Sequence, residues 1–349
     1  MKIAVLPGDG IGPETTRVAL AVLAAAADAY GFAVETTEYP FGGNAIDSHG
    51  DPFPAETRAA LPQADAVLKG AVGGPQWDTG TIRPEQGLLA LRAELAAFAN
   101  IRPIRMWTRK LESPLRPELV DGLDLVIIRE LTGGLYFGPK ELDADHGLDT
   151  CAYTAPEVER VVRYAFDLAR TRRGKVCSVD KQNVLSSSKL WRQVVVERVA
   201  PDYPDVEVSH QLVDSMAMKL IEQPLAYDVI VTENMFGDIL SDLAASVSGG
   251  IGLAPSSSLG ESRPGLYEAI HGSAPDIAGT GVANPTAMVL TVAMMLRDLD
   301  QRAAADAVEA AAIRCLEHGP TTPDLGGTAT TDEVGAAICT LIAQGGAGA

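Results

Sequence analysis

Lys2-Ile3-Ala4-Val5-Leu6-Pro7-Gly8-Asp9-Gly10-Ile11-Gly12-Pro13-Glu14 opens the chain with a run of strand character, a glycine-punctuated turn and a proline where a helix would begin. A strand, a Gly-rich turn and a helix invite a dinucleotide-binding reading. That fingerprint needs G-x-G-x-x-G, whose third glycine lets the helix pack close to the strand. Here Gly12 comes one residue early and Pro13 follows it. The glycines are therefore expected to shape a tight turn and Pro13 to start the helix, which argues against a standard Rossmann fold.

Outward from that opening, short β-rich runs alternate with Ala/Leu-rich helical ones. Strands are expected at Lys2–Leu6, Ala33–Tyr39, Asp65–Lys69, Asp124–Arg129, Lys175–Val179, Val206–Val213 and Asp228–Thr232. The alternation predicts an α/β fold with a largely parallel, buried sheet. Thr154 and Glu157 form a capping box before a periodic run that stops at Gly174, and Asn284-Pro285 supplies an N-cap and first-turn proline for another helix. The longest apolar stretch, Ala287 to Leu296, is too short to cross a bilayer and reads as a buried helix. Leu135 to Tyr153 breaks the rhythm and reads from pattern alone either as a protruding hairpin or as a long loop. The small-residue tail Gln344–Ala349 is expected to fray.

Lys+Arg 28 against Asp+Glu 46 gives a formal net charge of −18. Such a chain repels DNA phosphate and anionic lipid, so neither nucleic acid nor membrane is an expected partner. An anionic substrate must then be met by a local basic cluster. The cysteines at 151, 177, 315 and 339 form no C-x-x-C pair, and the N-terminus shows no secretory pattern, so a cytoplasmic location is expected.

Several constellations carry chemistry. After the strand at 228–232, Asp238 and Asp242 fall on one helical face of E-N-M-F-G-D-I-L-S-D. Like charges at that spacing repel, and a hard divalent cation would relieve them. In isolation the simpler reading is one capping and one solvated aspartate. Asp214, opening another helix after the strand at 206–213, supplies a third oxygen ligand and makes a shared Mg²⁺ or Mn²⁺ site plausible. Arg92, Arg102 and Arg129 are forks suited to a dicarboxylate; Arg102 and Arg129 interrupt or end apolar strands, where an unpaired charge is costly. Lys181 in V-D-K-Q-N-V-L suits proton transfer, with Tyr136 in G-G-L-Y-F-G as an acid or simply a packing residue. The polar loop His271-Gly272-Ser273-Ala274-Pro275-Asp276, leading to Asn284-Pro285, suits a nucleotide, or is merely a loop with a cap. An acid near the ribose would favour a free 2′-hydroxyl, so Asp276 points to NAD over NADP.

Taken in order, L-P-G-D-G-I-G-P-E, N-I-R-P-I-R, R-E-L-T-G-G-L-Y-F-G, V-D-K-Q-N-V-L, N-M-F-G-D-I-L-S-D-L and H-G-S-A-P-D-I-A-G resemble the isocitrate/isopropylmalate family of β-decarboxylating dehydrogenases over nearly the whole chain. The resemblance implies a two-lobed α/β fold, with residues 1–98 plus 250–349 in one lobe and 99–249 in the other. The second lobe would carry the homodimer interface and an arm at about 135–153 that pairs with its mate. It implies oxidation of a 2-hydroxy diacid by NAD with loss of the β-carboxylate, assisted by Mg²⁺ or Mn²⁺. By that resemblance Arg92, Arg102 and Arg129 clamp substrate carboxylates, Tyr136 is the acid and Lys181 the base. Asp214, Asp238 and Asp242 hold the metal, with Asp214 also near substrate. Ile11, Glu268, His271, Gly272, Ser273, Ala274, Asp276 and Asn284 face the cofactor. Lys181 and Asp214 would reach the site from the neighbouring subunit.

Glu85-Gln86-Gly87-Leu88-Leu89 resembles the isopropylmalate type, in which a leucine pair meets the isopropyl group. Apolar Leu88, with Val184 from across the interface, cannot satisfy the third carboxylate of isocitrate. D-malate, tartrate or homoisocitrate are the nearest rival substrates. A non-catalytic nucleotide-binding subunit is the rival of a different class, set against the intact Lys181, Tyr136 and three aspartates. Ala269 departs from the proline that isopropylmalate enzymes usually carry there.

Overall fold

A computed structural model describes residues 1–346. The chain divides into two compact units, Met1–Ala96 with Trp107–Glu112 and everything from Ile251 onward, and Ala97–Met106 with Ser113–Gly250.

The first unit begins with β1 (Lys2–Leu6), α1 (Gly12–Tyr30), β2 (Glu35–Glu38), α2 (Gly43–His49), α3 (Ala55–Ala60), β3 (Ala66–Lys69) and α4 (Pro84–Glu94). The second unit holds β4 (Ala99–Arg105), α5 (Pro117–Val120), β5 (Asp124–Glu130), β6 (Lys140–Leu142), β7 (Gly147–Asp149), α6 (Ala155–Arg170), β8 (Lys175–Asp180), α7 (Ser186–Val194), β9 (Glu207–Leu212), α8 (Val213–Glu222), β10 (Val229–Thr232) and α9 (Asn234–Val247). The chain then returns to the first unit with β11 (Pro255–Leu259), β12 (Gly265–Ala269), α10 (Thr286–Asp298), α11 (Arg302–His318) and α12 (Thr331–Gly346).

In the first unit the strand order is β2-β1-β3-β12-β11, parallel except for the β11–β12 pair. β2 closes the edge with Glu35, Thr36, Thr37 and Glu38 all exposed. The core lies where α1, α10, α11 and α12 cover β1 and β3, through Val5, Leu23, Leu68, Met288, Leu296 and Ile338. Each such side chain stabilises the fold by about 1.5–3 kcal/mol on burial. Pro13 lies in the first turn of α1, as the opening motif predicts. Gly10 adopts φ +57°, and a Cβ there would stand 2.0 Å from the Ser273 carbonyl oxygen, so the turn is glycine because it lies against the 271–276 loop.

In the second unit the order is β4-β5-β10-β8-β9, with only β4–β5 antiparallel. Successive residues of β5 face opposite sides: Arg129 lies against Gly237 of α9, whereas Glu130 feels the charge of Arg160 on α6. Helices on both faces explain the nearly continuous apolar run of that strand. Residues 140–149 form an antiparallel hairpin with every strand residue exposed, which resolves the hairpin-or-loop alternative.

The boundaries differ from expectation in three places. Asn284 does accept a hydrogen bond from the Thr286 N–H at 3.0 Å, but Pro285 occupies the cap and α10 starts one residue later. The capping box of Thr154 and Glu157 forms, yet α6 ends at Arg170 and a turn carries the chain to Gly174 at φ +72°. Gln344–Gly346 continue α12 rather than fraying, and the rest of that tail lies outside the described residues. β11 and β12 lie outside the expected strands: the serines of P-S-S-S-L hide any apolar pattern in β11, and β12, G-L-Y-E-A, is a short run interrupted by a glutamate. Ser256 is tolerated in the sheet because its hydroxyl donates to the Glu268 carbonyl at 2.9 Å.

Candidate active site

In the second unit the site grows from the end of β10. Glu233 caps α9 by accepting from the Phe236 N–H at 3.3 Å. The next residue, Asn234, is buried; it accepts from Arg129 Nε at 3.0 Å and donates to the Gly133 carbonyl at 3.1 Å. Arg129, at the end of β5 and 2% exposed, extends its fork to Asp238, one helical turn further along α9. On β4, Arg102 donates through Nε to Asn100 at 2.7 Å and through Nη1 to Ser241 at 2.6 Å and Asp242 at 3.2 Å. Its Nη2 lies 3.5 Å from Asp238. Asn100 is the cross-strand partner of Arg129. A buried amide thus takes the Nε–H of each guanidinium, while the terminal nitrogens face Asp238, Asp242 and the Ser241 hydroxyl.

Tyr136 donates its hydroxyl to Asp238 at 3.0 Å, with the Arg129 guanidinium 5.6 Å from its ring centre. Burial first, then the Asp238 charge, raises the phenol above its ordinary range and keeps it protonated. Glu130 anchors the turn before it by accepting from the Thr132 and Gly133 N–H groups at 2.7 and 2.8 Å. Burial raises the Glu233 carboxyl to about 6. Burial likewise raises Asp242, Arg102 opposing and Asp238 reinforcing.

The structure brings Arg102, Arg129, Tyr136, Asp238 and Asp242 together. Lys181 and Asp214 stand apart as a pair of their own, Nζ to Oδ1 2.5 Å, with Asp214 61% exposed. Among the described residues no group of three or more His, Cys, Asp or Glu side chains forms that would hold a metal, so Asp214 does not join the other two aspartates within one chain. Val184 is 65% exposed.

The first unit carries the other residues expected at the site. On α4, Leu88 is half-buried and Arg92, one turn on, is buried. Arg92 Nη2 meets Glu268 Oε1 at 3.1 Å, and the other oxygen of Glu268 lies 2.8 Å from Lys69 Nζ. Burial pushes the Glu268 carboxyl up, but Lys69 and Arg92 outweigh it and hold it at about 2. Ile11 donates its N–H to the Ser273 carbonyl at 2.8 Å, fixing the opening turn against the 271–276 loop. Gly272 and Asp276 are exposed, Ala274 adopts φ +40°, and Asn284 Nδ2 donates to Asp324 at 2.9 Å. Burial lowers the His271 pKa, so the ring is neutral; its Nδ1 lies 3.0 Å from the Gly272 carbonyl, which only accepts. The proton therefore sits on Nδ1, and Nε2 is left as a buried acceptor with no partner among the described residues. Asn100, Asn234, Ser241 and Lys69 are the contributors that motif reading missed; for Asn100, Asn234 and Lys69 the signal is a polar side chain on or just after an apolar strand, and Ser241 lies one residue before Asp242 on α9.

Solved structures place this architecture in the class of β-decarboxylating dehydrogenases. One from Thermococcus kodakarensis, described as a β-decarboxylating dehydrogenase, matches with TM-score 0.82 at 37% identity, covering 98% of this chain and 96% of that one. The isocitrate dehydrogenase of Methylococcus capsulatus matches with TM-score 0.89 at 36% identity over 98% and 99%. The chain belongs to the isocitrate/isopropylmalate dehydrogenase family, whose model matches residues 2–338. Among its relatives, the 3-isopropylmalate dehydrogenase of Gloeobacter violaceus is 55% identical across 93% of this chain and 92% of that protein. The one from Streptococcus thermophilus is 51% identical across 97% and 98%. Among the described residues no helix is long and apolar enough to cross a membrane.

Proposed function

We propose that this chain oxidises (2R,3S)-3-isopropylmalate with NAD and a divalent cation, Mg²⁺ or Mn²⁺, releasing CO₂ and 4-methyl-2-oxopentanoate, a step of leucine biosynthesis. The relatives bearing that activity in their names, 51–55% identical over more than nine-tenths of the chain, support it. The observation that carries the substrate choice is the turn of α4 that sets half-buried Leu88 four residues before buried Arg92. An apolar surface one helical turn from a guanidinium suits a carboxylate flanked by a branched alkyl group. A third carboxylate at Leu88 would find no partner.

The donor set suits a hard cation. Asp238 and Asp242 offer carboxylate oxygens on one face of α9, with side chains 35% and 54% exposed. Two arginines balance these two aspartates, and a divalent cation arriving with a dicarboxylate keeps the sum neutral. Asp214 and Lys181 are assigned to the site of a second copy; their exposure as a separate pair supports a homodimer sharing its active sites. For NAD, the supporting observation is His271 Nε2, a buried acceptor suited to the amino group of a nucleobase. Ile11, Glu268, Gly272, Ser273, Ala274, Asp276 and Asn284 form the rest of that surface, and Asp276 suits a free ribose hydroxyl.

When bound, the dinucleotide supplies the hydride acceptor and the cation supplies Lewis acidity for charge developing as CO₂ leaves. Arg92, Arg102 and Arg129 orient the two carboxylates. Lys181 takes the proton of the C2 hydroxyl, and Tyr136 delivers its own to the carbon that loses CO₂. Val184 adds apolar surface beside the isopropyl group.

The test is NADH formation by the purified protein with 3-isopropylmalate, D-malate, tartrate, homoisocitrate or isocitrate, with and without EDTA. A lead for 3-isopropylmalate that chelation abolishes is expected. A lead for D-malate or tartrate would overturn the Leu88 reading, and inactivity on all five would favour a nucleotide-binding subunit.

A further inference from the structure

Lys69 closes β3, a strand whose four residues are all buried, and is itself only 2% exposed. An ammonium in such a place must be held. Its register partner on β12 is Glu268, and partners on neighbouring parallel strands project from the same face. Lys69 Nζ accordingly lies 2.8 Å from Glu268 Oε2 and donates to the Gly70 carbonyl at 2.7 Å. Glu268 Oε1 faces Arg92 Nη2 at 3.1 Å. One anion is divided between two cations, an oxygen to each. Neutralising Glu268 needs only one of them, because Arg92 suffices, and a second buried cation is costly unless it has something further to meet. Arg92 Nε is also buried without a partner among the described residues.

We propose that Lys69 is a positioning residue for substrate capture. By occupying Oε2 it prevents Glu268 from gripping Arg92 through both oxygens. The Lys69–Glu268–Arg92 group then keeps one uncompensated positive charge, and Arg92 keeps an edge of its fork for a substrate carboxylate. The inference rests on reading Arg92 as a substrate clamp.

Four variants test it, assayed at saturating NAD: Lys69→Met, Lys69→Gln, Lys69→Met with Glu268→Gln, and Arg92→Lys. Loss of the Lys69 charge lets Glu268 close on Arg92, so KM for 3-isopropylmalate rises about tenfold while kcat stays within about twofold, the signature of lost ground-state binding. The double variant, with no carboxylate left to compete for Arg92, returns KM to within about threefold of the parent. A role in packing alone would not be rescued by removing the Glu268 charge. Lys69→Gln, which retains polarity, serves if Lys69→Met does not fold. An unchanged KM in the Lys69 variants, or a raised KM that Glu268→Gln does not restore, overturns the inference while Arg92→Lys still raises KM. An Arg92→Lys variant with unchanged KM overturns the clamp reading as well.

Discussion

At the scale of single residues, the charges at the site are held by neighbours. Glu268 illustrates the sign of such coupling. Its folded pKa of about 2 lies below the ordinary 4.5, so its stabilisation is complete above the unfolded value and is lost as pH falls between them. The full contribution is on the order of 3 kcal/mol. Denaturant unfolding of the parent and of Glu268→Gln should therefore differ by a constant amount above about pH 6, the gap closing by about 2 kcal/mol near about pH 3. A gap independent of pH would refute the assignment. Tyr136, kept protonated by burial and by Asp238, should when changed to Phe lower kcat by about a hundredfold or more with little change in substrate KM, measured by steady-state kinetics. The charged residues of the site were legible because each sits in a quotable motif. The roles of Asn100, Asn234 and Lys69 were not: the two amides lie inside quoted motifs, but an amide on β4 or at the start of α9, like an ammonium on β3, shows its purpose only once its neighbouring elements are known.

At the scale of elements, α9 shows why the D-x-x-x-D spacing works. Helical periodicity sets both aspartates toward β4 and β5, and Gly237 lets the helix approach: a Cβ there would stand 2.7 Å from Arg129 Cβ and Cγ. Gly237→Ala should gain up to about 1 kcal/mol of helix propensity and lose about 1–3 kcal/mol to crowding, a net destabilisation. A lower thermal midpoint together with a raised substrate KM is expected; a higher midpoint would mean that β5 yields easily. All seven strands expected from sequence form within about two residues of their predicted ends, because each is an uninterrupted β-rich run bounded by turn residues. β11 escaped because P-S-S-S-L reads as loop, and only tertiary hydrogen bonds such as that of Ser256 make it a strand; its partner β12, short and carrying Glu268, does not stand out as a β-rich run.

At the scale of the molecule, the proposed division of the active site between two copies has a consequence that mixing can reveal. Lys181→Met and Tyr136→Phe should each be inactive alone. If Lys181 serves the second copy, mixed dimers contain one intact site, and an equimolar mixture allowed to exchange subunits should recover about a quarter of parental activity. No recovery would place Lys181 in its own chain's site. This level was the least legible: composition and periodicity predict alternating strands and helices, but they say nothing of which segment inserts into which, and the two-lobed layout came only with the family resemblance. The edge strand β2 has a consequence of its own. A bare sheet edge is a template for another chain, and repeated addition there builds fibrils. Glutamates at both ends of β2 and threonines between them deprive an incoming strand of any apolar grip and set like charges against a second copy of the same edge. The sheet can stop at β2 without a covering helix, and the protein can accumulate to high concentration without polymerising through that edge.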